Sequence, residues 1–140
     1  MIVLDASVVY KWIIDEDHPT QVLALRLREE FLLGKTKAMA PNIIFYEIGN
    51  ILSFKAALSL SDIKRGWGNF VKLNFPVISP TSNFIKKCIN FSKKYHVTVY
   101  DASYAVLAQE RRCKLITADE KFVKSVNLPN ILHLLHLSVI

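Results

Sequence analysis

Val97-Thr-Val-Tyr-Asp101-Ala-Ser-Tyr-Ala-Val-Leu-Ala108 decides how the rest of this sequence folds. It sets an acid at the front of a predicted helix whose small residues Ala102, Ala105 and Ala108 recur at three-residue spacing, a stripe that permits close packing on a sheet. The triplet Asp-Ala-Ser also stands at the start of the chain, where Ile2-Val3-Leu4 is predicted to be a short buried strand running straight into Asp5-Ala6-Ser7. A third acid, Asp119, follows the run Lys114 to Ala118, and a fourth, Glu47, lies in a helix-like stretch that begins near Pro41.

The spacing of strands and helices around these points predicts one α/β domain over residues 1–140. Val8 to Ile14 is predicted as a short helix capped by Ser7. Asp17-His18-Pro19 opens a helix supported by Val22, Leu25, Leu27, Phe31 and Leu32 and ended by Gly34. Lys37 to Ala40 forms a brief strand, and Pro41-Asn42 opens a helix with Ile44, Glu47, Ile48, Ile51 and Leu52 on one face. Ser59 or Ser61 caps a helix through Ile63, Trp67, Phe70 and Val71, weakened by Gly66 and Gly68 and stopped by Asn74 and Pro76. Val77-Ile78 makes a strand. Thr81 or Ser82 starts a helix that ends near Tyr95-His96 and carries Lys86, Lys87, Lys93 and Lys94 as a solvated basic face. After the Asp101 helix come a strand at Leu115-Ile116, a short helix over Glu120 to Lys124, a loop around Pro129 and a terminal strand over Ile131 to Ile140. Short apolar strands alternating with helices imply a parallel sheet sandwiched between helical layers.

With 140 residues, 51% of them hydrophobic, the chain is long enough to bury a core of its own. The 18 basic residues exceed the 12 acidic ones by a net charge of +6, which favours a polyanionic partner such as nucleic acid and equally suits a solubilising surface. Cys88 and Cys113 lack zinc-binding spacing and are expected as reduced intracellular thiols. No secretory signal is evident, and Ile131 to Ile140, interrupted by His133 and His136, is too short to span a bilayer. A cytoplasmic protein without a membrane segment is the expectation.

In an open parallel sheet, sites gather outside the carboxyl ends of the strands, so Asp5 and Asp119, which both follow strands, are placed to share a crevice. The sequence allows Asp101 and Glu47 to reach it from helix starts without requiring that they do. Each acid alone has a structural explanation, as a helix cap, a surface group or a turn residue. Together they point elsewhere: clustered carboxylates repel one another near a core unless a cation neutralises them, and oxygen ligands without His or Cys suit Mg²⁺ or Mn²⁺. Such an ion can bind a phosphodiester and lower the pKa of bound water, which is nuclease chemistry.

Ile2-Val-Leu-Asp5-Ala-Ser7, Pro41 through Tyr46-Glu47-Ile-Gly-Asn50, Tyr100-Asp101 through Ala108, and Leu115-Ile-Thr-Ala-Asp119-Glu-Lys-Phe122 resemble the successive motifs of PIN-domain ribonucleases, VapC toxins of type II toxin–antitoxin modules above all. The resemblance runs in order from Met1 to Phe122. It implies an α/β/α fold and a Mg²⁺- or Mn²⁺-dependent endoribonuclease leaving a 5′-phosphate and a 3′-hydroxyl, with Asp5, Glu47, Asp101 and Asp119 as the acidic quartet that holds the metal. It further implies that Ser7 and Thr117 support the acids by hydrogen bonds and that Asn50 orients Glu47 from one turn away. A VapB-type antitoxin lying in a groove of the early helices, touching Ile13, Ile14 and Phe54, and a homodimer are implied as partners beside the RNA substrate. Arg111-Arg112-Cys113 departs from the family at a turn where relatives often carry glycine.

The four histidines show no spacing for a metal or a paired general base, and Ser7 and Ser103 lack a catalytic partner. Trp12, Tyr46, Phe54 and Trp67 are candidates to stack on RNA bases, though aromatic residues at helical spacing more often belong to a core or an interface. The alternatives to a nuclease are a non-catalytic RNA-binding or scaffold PIN domain and a phosphoacceptor signalling domain. The latter wants an acidic pair after the first strand and an aspartate after the third, and the sequence has neither.

Overall fold

The computed structural model describes residues 1–137. Its centre is a five-stranded, wholly parallel sheet of β1 (Ile2–Leu4), β2 (Ala38–Pro41), β3 (Val77–Ile78), β4 (Lys114–Thr117) and β5 (Ile131–His133), in the spatial order β3-β2-β1-β4-β5. The order reverses beside β1, so β1 and β4, which carry Asp5 and lead to Asp119, lie next to each other with Leu4 opposite Ile116. Ile2, Val3, Leu4, Leu115 and Ile116 are all buried, as a sheet covered on both faces requires. Pro41 is accommodated at the end of β2 because the bonds to the β3 segment are made by the N–H groups of Ala40 and Asn42, on either side of it.

Seven α-helices cover the sheet among the described residues: α1 (Ala6–Val9), α2 (Thr20–Leu32), α3 (Ile44–Phe54), α4 (Leu60–Lys72), α5 (Ser82–Tyr95), α6 (Val99–Glu110) and α7 (Glu120–Val126). Helix α6 confirms the small-residue stripe. Ala102, Ala105 and Ala108 are fully buried, and the helix packs on β1, β2 and β4 on one side and on α5 on another. Every residue from Ala102 to Ala108 is buried, which anchors the Asp101 end of the helix against the strand ends.

The caps fall on one of each pair of candidates. Ser59 and Asp62 form a reciprocal capping box on α4, and the Thr81 hydroxyl accepts the Phe84 N–H on α5. Gly66 earns its place in α4, since a Cβ there would stand 3.1 Å from Ile13 Cγ2 and 3.5 Å from Leu52 Cδ2. Gly34 follows α2 with φ +68°, the left-handed turn that favours glycine. Arg112 takes φ 49° at the turn where the family often has glycine, so the departure is absorbed by a left-handed arginine at a cost of order 1 kcal/mol.

Three expectations are corrected. The Val8 to Ile14 helix is two pieces, α1 and a 3₁₀ turn at Tyr10–Trp12, and Ser7 does not cap it: Asp5 is the N-cap residue and the Ser7 hydroxyl bonds the Asp5 carboxylate. The buried side of α2 is Thr20, Gln21, Ala24 and Leu27, whereas Val22 and Leu32 face water. Gln21 is buried because its amide donates to the Lys11 and Ile14 carbonyls and so ties α2 to the 3₁₀ turn, a role that hydrophobic periodicity does not signal. The terminal strand ends at His133, and Leu134–His136 form a 3₁₀ turn because the His133 Nδ1 accepts the Leu135 N–H and pulls the chain out of register. Residues 138–140 of that expected strand lie outside the described residues.

Candidate active site

Asp5 stands where β1 gives way to α1. Although it occupies the N-cap position, its side chain makes no cap bond. Its Oδ2 instead accepts hydrogen bonds from Ser7 Oγ at 2.7 Å and Thr117 Oγ1 at 2.5 Å. Each hydroxyl owns one proton and gives it to Asp5; their oxygens then accept the N–H groups of Ala118, at 2.9 Å, and Asp119, at 3.0 Å. The end of β4 is thereby sewn to the end of β1 through one carboxylate. Ser7 and Thr117 thus both donate to Asp5.

Asp101 sits in the first turn of α6, where Thr98 is the N-cap residue. Thr98 Oγ1 accepts the Asp101 N–H at 3.0 Å and donates to Asp101 Oδ2 at 2.7 Å. Among the described residues Asp101 Oδ1 has no hydrogen-bond partner and remains open to an incoming group. Glu47, in the first turn of α3, accepts a hydrogen bond from the Tyr104 hydroxyl. Asp119 is the N-cap of α7, its Oδ1 accepting the Phe122 N–H at 3.0 Å, and is exposed.

The electrostatics separate the four. Burial lifts the Asp5 carboxyl above the ordinary aspartate range; the Thr117 and Ser7 bonds oppose this, and the charge of Asp101 adds to it. Burial also lifts Glu47, with the Tyr104 bond opposing and the charges of Asp5 and Asp101 adding, to about 7. Tyr104 is raised by burial and by the charges of Asp5 and Glu47, so its hydroxyl stays protonated and donates. Asp5, Glu47 and Asp101 therefore share one field. Asp119 joins them through Thr117, which holds its N–H, while its carboxylate serves α7.

No ion pair among the described residues involves any of these four acids. Oxygen donors that are anionic and mutually repelling fit a hard divalent cation in kind and in charge. Among the described residues, however, no group of three or more His, Cys, Asp or Glu side chains is arranged to hold a metal ion ready-made. The trio is thus a field of like charge rather than a closed coordination shell.

The sequence model of the PIN domain matches residues 2–126. This chain belongs to the PIN-domain family. No curated protein matches the sequence. The PIN fold here is similar to that of PAE2754 from Pyrobaculum aerophilum, with a TM-score of 0.71 and 20% identity over 97% of this chain and 90% of that one. It is similar to a chain of a toxin–antitoxin complex from Klebsiella pneumoniae, with a TM-score of 0.70 and 14% identity over 94% and 96% of the two chains. Mycobacterium tuberculosis VapC20, a sarcin–ricin-loop-cleaving toxin, matches with a TM-score of 0.66 and 12% identity over 89% and 95%.

Three residues of this PIN domain act on the acids without having been singled out in the sequence. Tyr104 supplies a hydrogen bond to Glu47, and Asn50, which is exposed, lines the same cleft as Glu47. Thr98 was legible in principle, because Thr98-x-x-Asp101 has the spacing of a capping box. His133 was not: paired with Thr117 across β4 and β5, its buried ring lies 3.2 Å from the Ala118 carbonyl through Nε2. Since Nδ1 accepts the Leu135 N–H, Nε2 carries the proton and donates. The aromatic candidates divide. Trp12 is buried against Phe31 and Phe75, and Trp67 packs on Phe45 and Phe70, whereas Tyr46 and Phe54 are 78% and 82% exposed.

Proposed function

We propose that this chain is a Mg²⁺- or Mn²⁺-dependent endoribonuclease and the toxin of a type II toxin–antitoxin module, with residues 1–140 acting as one PIN domain. One observation carries the reading: three half-buried carboxylates, Asp5, Glu47 and Asp101, stand close enough at the carboxyl end of a parallel sheet that the charge of Asp101 pushes up Asp5 and the charges of Asp5 and Asp101 push up Glu47, with no Lys or Arg paired to them among the described residues. Asp5 and Asp101 would hold the cation, with Glu47 and Asp119 completing the set. When bound, the metal supplies positive charge to the phosphodiester and acidifies water beside it. The protein's own part is positional. Ser7 and Thr117 aim Asp5 and oppose the upward pull of burial on its carboxyl, Thr98 fixes Asp101 while leaving Oδ1 open, and Tyr104 holds Glu47.

The partners follow the same reading. A groove of about 540 Å³, lined by Phe45, Tyr46, Trp67, Phe70, Val71 and Phe75 along α3 and α4, offers the apolar surface that a VapB-type antitoxin would cover. Phe54 is exposed at the end of α3, while Ile13 and Ile14 are half-buried beside Leu52 and Gly66. A homodimer in the cytoplasm completes the proposal. Among the described residues no helix is long and apolar enough to cross a membrane.

The lack of a ready-made metal-holding group among the described residues gives the second reading, a non-catalytic RNA-binding or scaffold PIN domain, its footing. Purified protein incubated with defined RNAs, with EDTA and with Mn²⁺, separates the two. The nuclease reading expects Mn²⁺-dependent cleavage that falls more than about a hundredfold in Asp5→Asn and in Asp101→Asn. Cleavage at the wild-type rate by both variants would remove the site, and RNA binding without cleavage under any metal would favour the scaffold.

A further inference from the structure

Two of the acids share a local sequence pattern. Tyr46 immediately precedes Glu47 in the first turn of α3, and Tyr100 immediately precedes Asp101 in the first turn of α6. Neighbouring residues on a helix point about a quarter-turn or more apart, so an acid turned in toward the sheet ends leaves the tyrosine before it turned outward. Tyr46 is 78% exposed and Tyr100 61% exposed. Both line one cleft of about 520 Å³, whose other walls are Ile43, Glu47 and Asn50. Among the described residues neither ring packs on another aromatic ring, and neither hydroxyl is used to hold the fold. Two flat apolar faces are thus kept free beside the carboxylates.

We infer that Tyr46 and Tyr100 are the walls of a stacking site for one unpaired base of single-stranded RNA, next to the phosphate that a cation bound by the acids would hold. The inference rests on the ribonuclease reading. Stacking on a tyrosine uses the π-face that every base has, and it requires a base that is not paired in a duplex. Asn50, in the same cleft, offers both a donor and an acceptor to a base edge. The net charge of +6 draws a polyanion toward the molecule, and Lys93 and Lys94, exposed at the end of α5, stand just before the loop that leads to Thr98 and the Asp101 turn.

The test measures binding apart from chemistry. Fluorescence anisotropy of a labelled oligoadenylate is followed without added metal in the cleavage-silent Asp5→Asn protein, with Tyr46→Ala, Tyr46→Phe, Tyr100→Ala or Tyr100→Phe added singly. Each alanine is expected to raise Kd about tenfold and each phenylalanine to stay within about twofold, because the ring and not the hydroxyl does the stacking. An abasic oligonucleotide with the same number of phosphates should bind parent and alanine variants alike. Thermal melts should coincide, since both rings are exposed. Alanine variants that bind oligoadenylate as the parent does overturn the inference alone, as does equal loss in the alanine and phenylalanine variants. A Tyr100→Ala variant that keeps RNA binding but loses association with a protein partner also overturns it, by making the cleft a protein interface. If neither the parent nor the wild type binds or cuts any RNA, the ribonuclease reading falls and takes this inference with it.

Discussion

Glu16 and Glu47 are a matched pair in opposite circumstances. Each is a part-buried glutamate that accepts a hydrogen bond from a tyrosine hydroxyl, Tyr10 in one case and Tyr104 in the other. Burial pushes both carboxyls up. At Glu16, hydrogen bonds from Lys11 and Lys55 join that of Tyr10 and bring the group down to about 2. At Glu47 the Tyr104 bond works against Asp5 and Asp101, and the group stands at about 7. The hydroxyl is common to both; the sign of the surrounding charge decides the outcome. Glu16 has its cations built in and joins the 3₁₀ turn to the end of α3, whereas Glu47 belongs to a cluster with no Lys or Arg paired to it among the described residues.

The largest effect that can break this comparison is expected at the structural pair. Lys11 is only 4% exposed, so Lys11→Met leaves Glu16 with Lys55 alone and part of its charge uncompensated. A loss of about 3 kcal/mol in unfolding free energy is expected, with cleavage per folded molecule unchanged. Urea denaturation beside a cleavage assay checks both halves. A stability change below about 1 kcal/mol would mean that the Glu16 network is not the stabilising one.

The acid cluster should respond to metal instead. Mn²⁺ at about a hundred times its Kd is expected to stabilise the wild type by roughly 2.7 kcal/mol, by binding the folded state alone. Asp101→Asn should be neutral or more stable in EDTA and should lose most of that gain, while Lys11→Met should keep it. Paired calorimetry with EDTA and with Mn²⁺ reads all three proteins. Equal metal responses in wild type and Asp101→Asn would show that the cluster binds no cation.

Proton linkage gives the third contrast. A glutamate whose folded pKa is raised from 4.5 to about 7 keeps its proton in the native state while the unfolded chain loses it. Stability then falls as pH rises from about 4.5 to 7 and levels off above. For Glu47, half-buried and partly screened, the change is about 2 kcal/mol. Glu16 works in the other direction and lower on the scale, its contribution being lost as pH falls from 4.5 toward 2. In metal-free buffer Glu47→Gln should flatten the decline between pH 5 and 8 without touching the acid limb below it. A wild type whose stability is level across pH 5 to 8 would contradict the shared field.

What could be foreseen in the sequence follows from which interactions are local. The Ala102, Ala105, Ala108 stripe, the β1–Asp5 junction and the capping serine and threonine were visible because they depend on neighbours within four residues. The contact of Tyr104 with Glu47 spans 57 positions and that of Thr117 with Asp5 spans 112, so spacing alone carried no trace of the first, and the second was reached only through a family resemblance. Val22 and Leu32 misled because apolar residues on a helix surface are common, whereas Gln21, which periodicity assigns to water, is held inside by two carbonyls. Asp119 shows how a residue can satisfy two readings, since it caps α7 with its carboxylate and is tied to Asp5 through Thr117.

The smallest expected effect tests how far the acid cluster depends on support from outside it. The Ala118–Asp119 peptide is held at both ends, its carbonyl accepting from His133 Nε2 and its N–H donating to Thr117 Oγ1, which in turn donates to Asp5. His133→Phe preserves the ring's bulk while leaving the Ala118 carbonyl and the Leu135 N–H without their partners, at a cost of about 1 kcal/mol. If the clamp aims the site, the loosened peptide should raise amide exchange at Ala118 and Asp119 more than at Leu115 and Ile116, and cleavage should lose several-fold in kcat with KM nearly unchanged. His133→Gln, which can still donate through its amide, should recover part of the rate. At the Glu16 network nothing should change, because no hydrogen bond among the described residues joins it to His133. Uniform exchange along β4 with kcat intact would make His133 a core residue that happens to be polar.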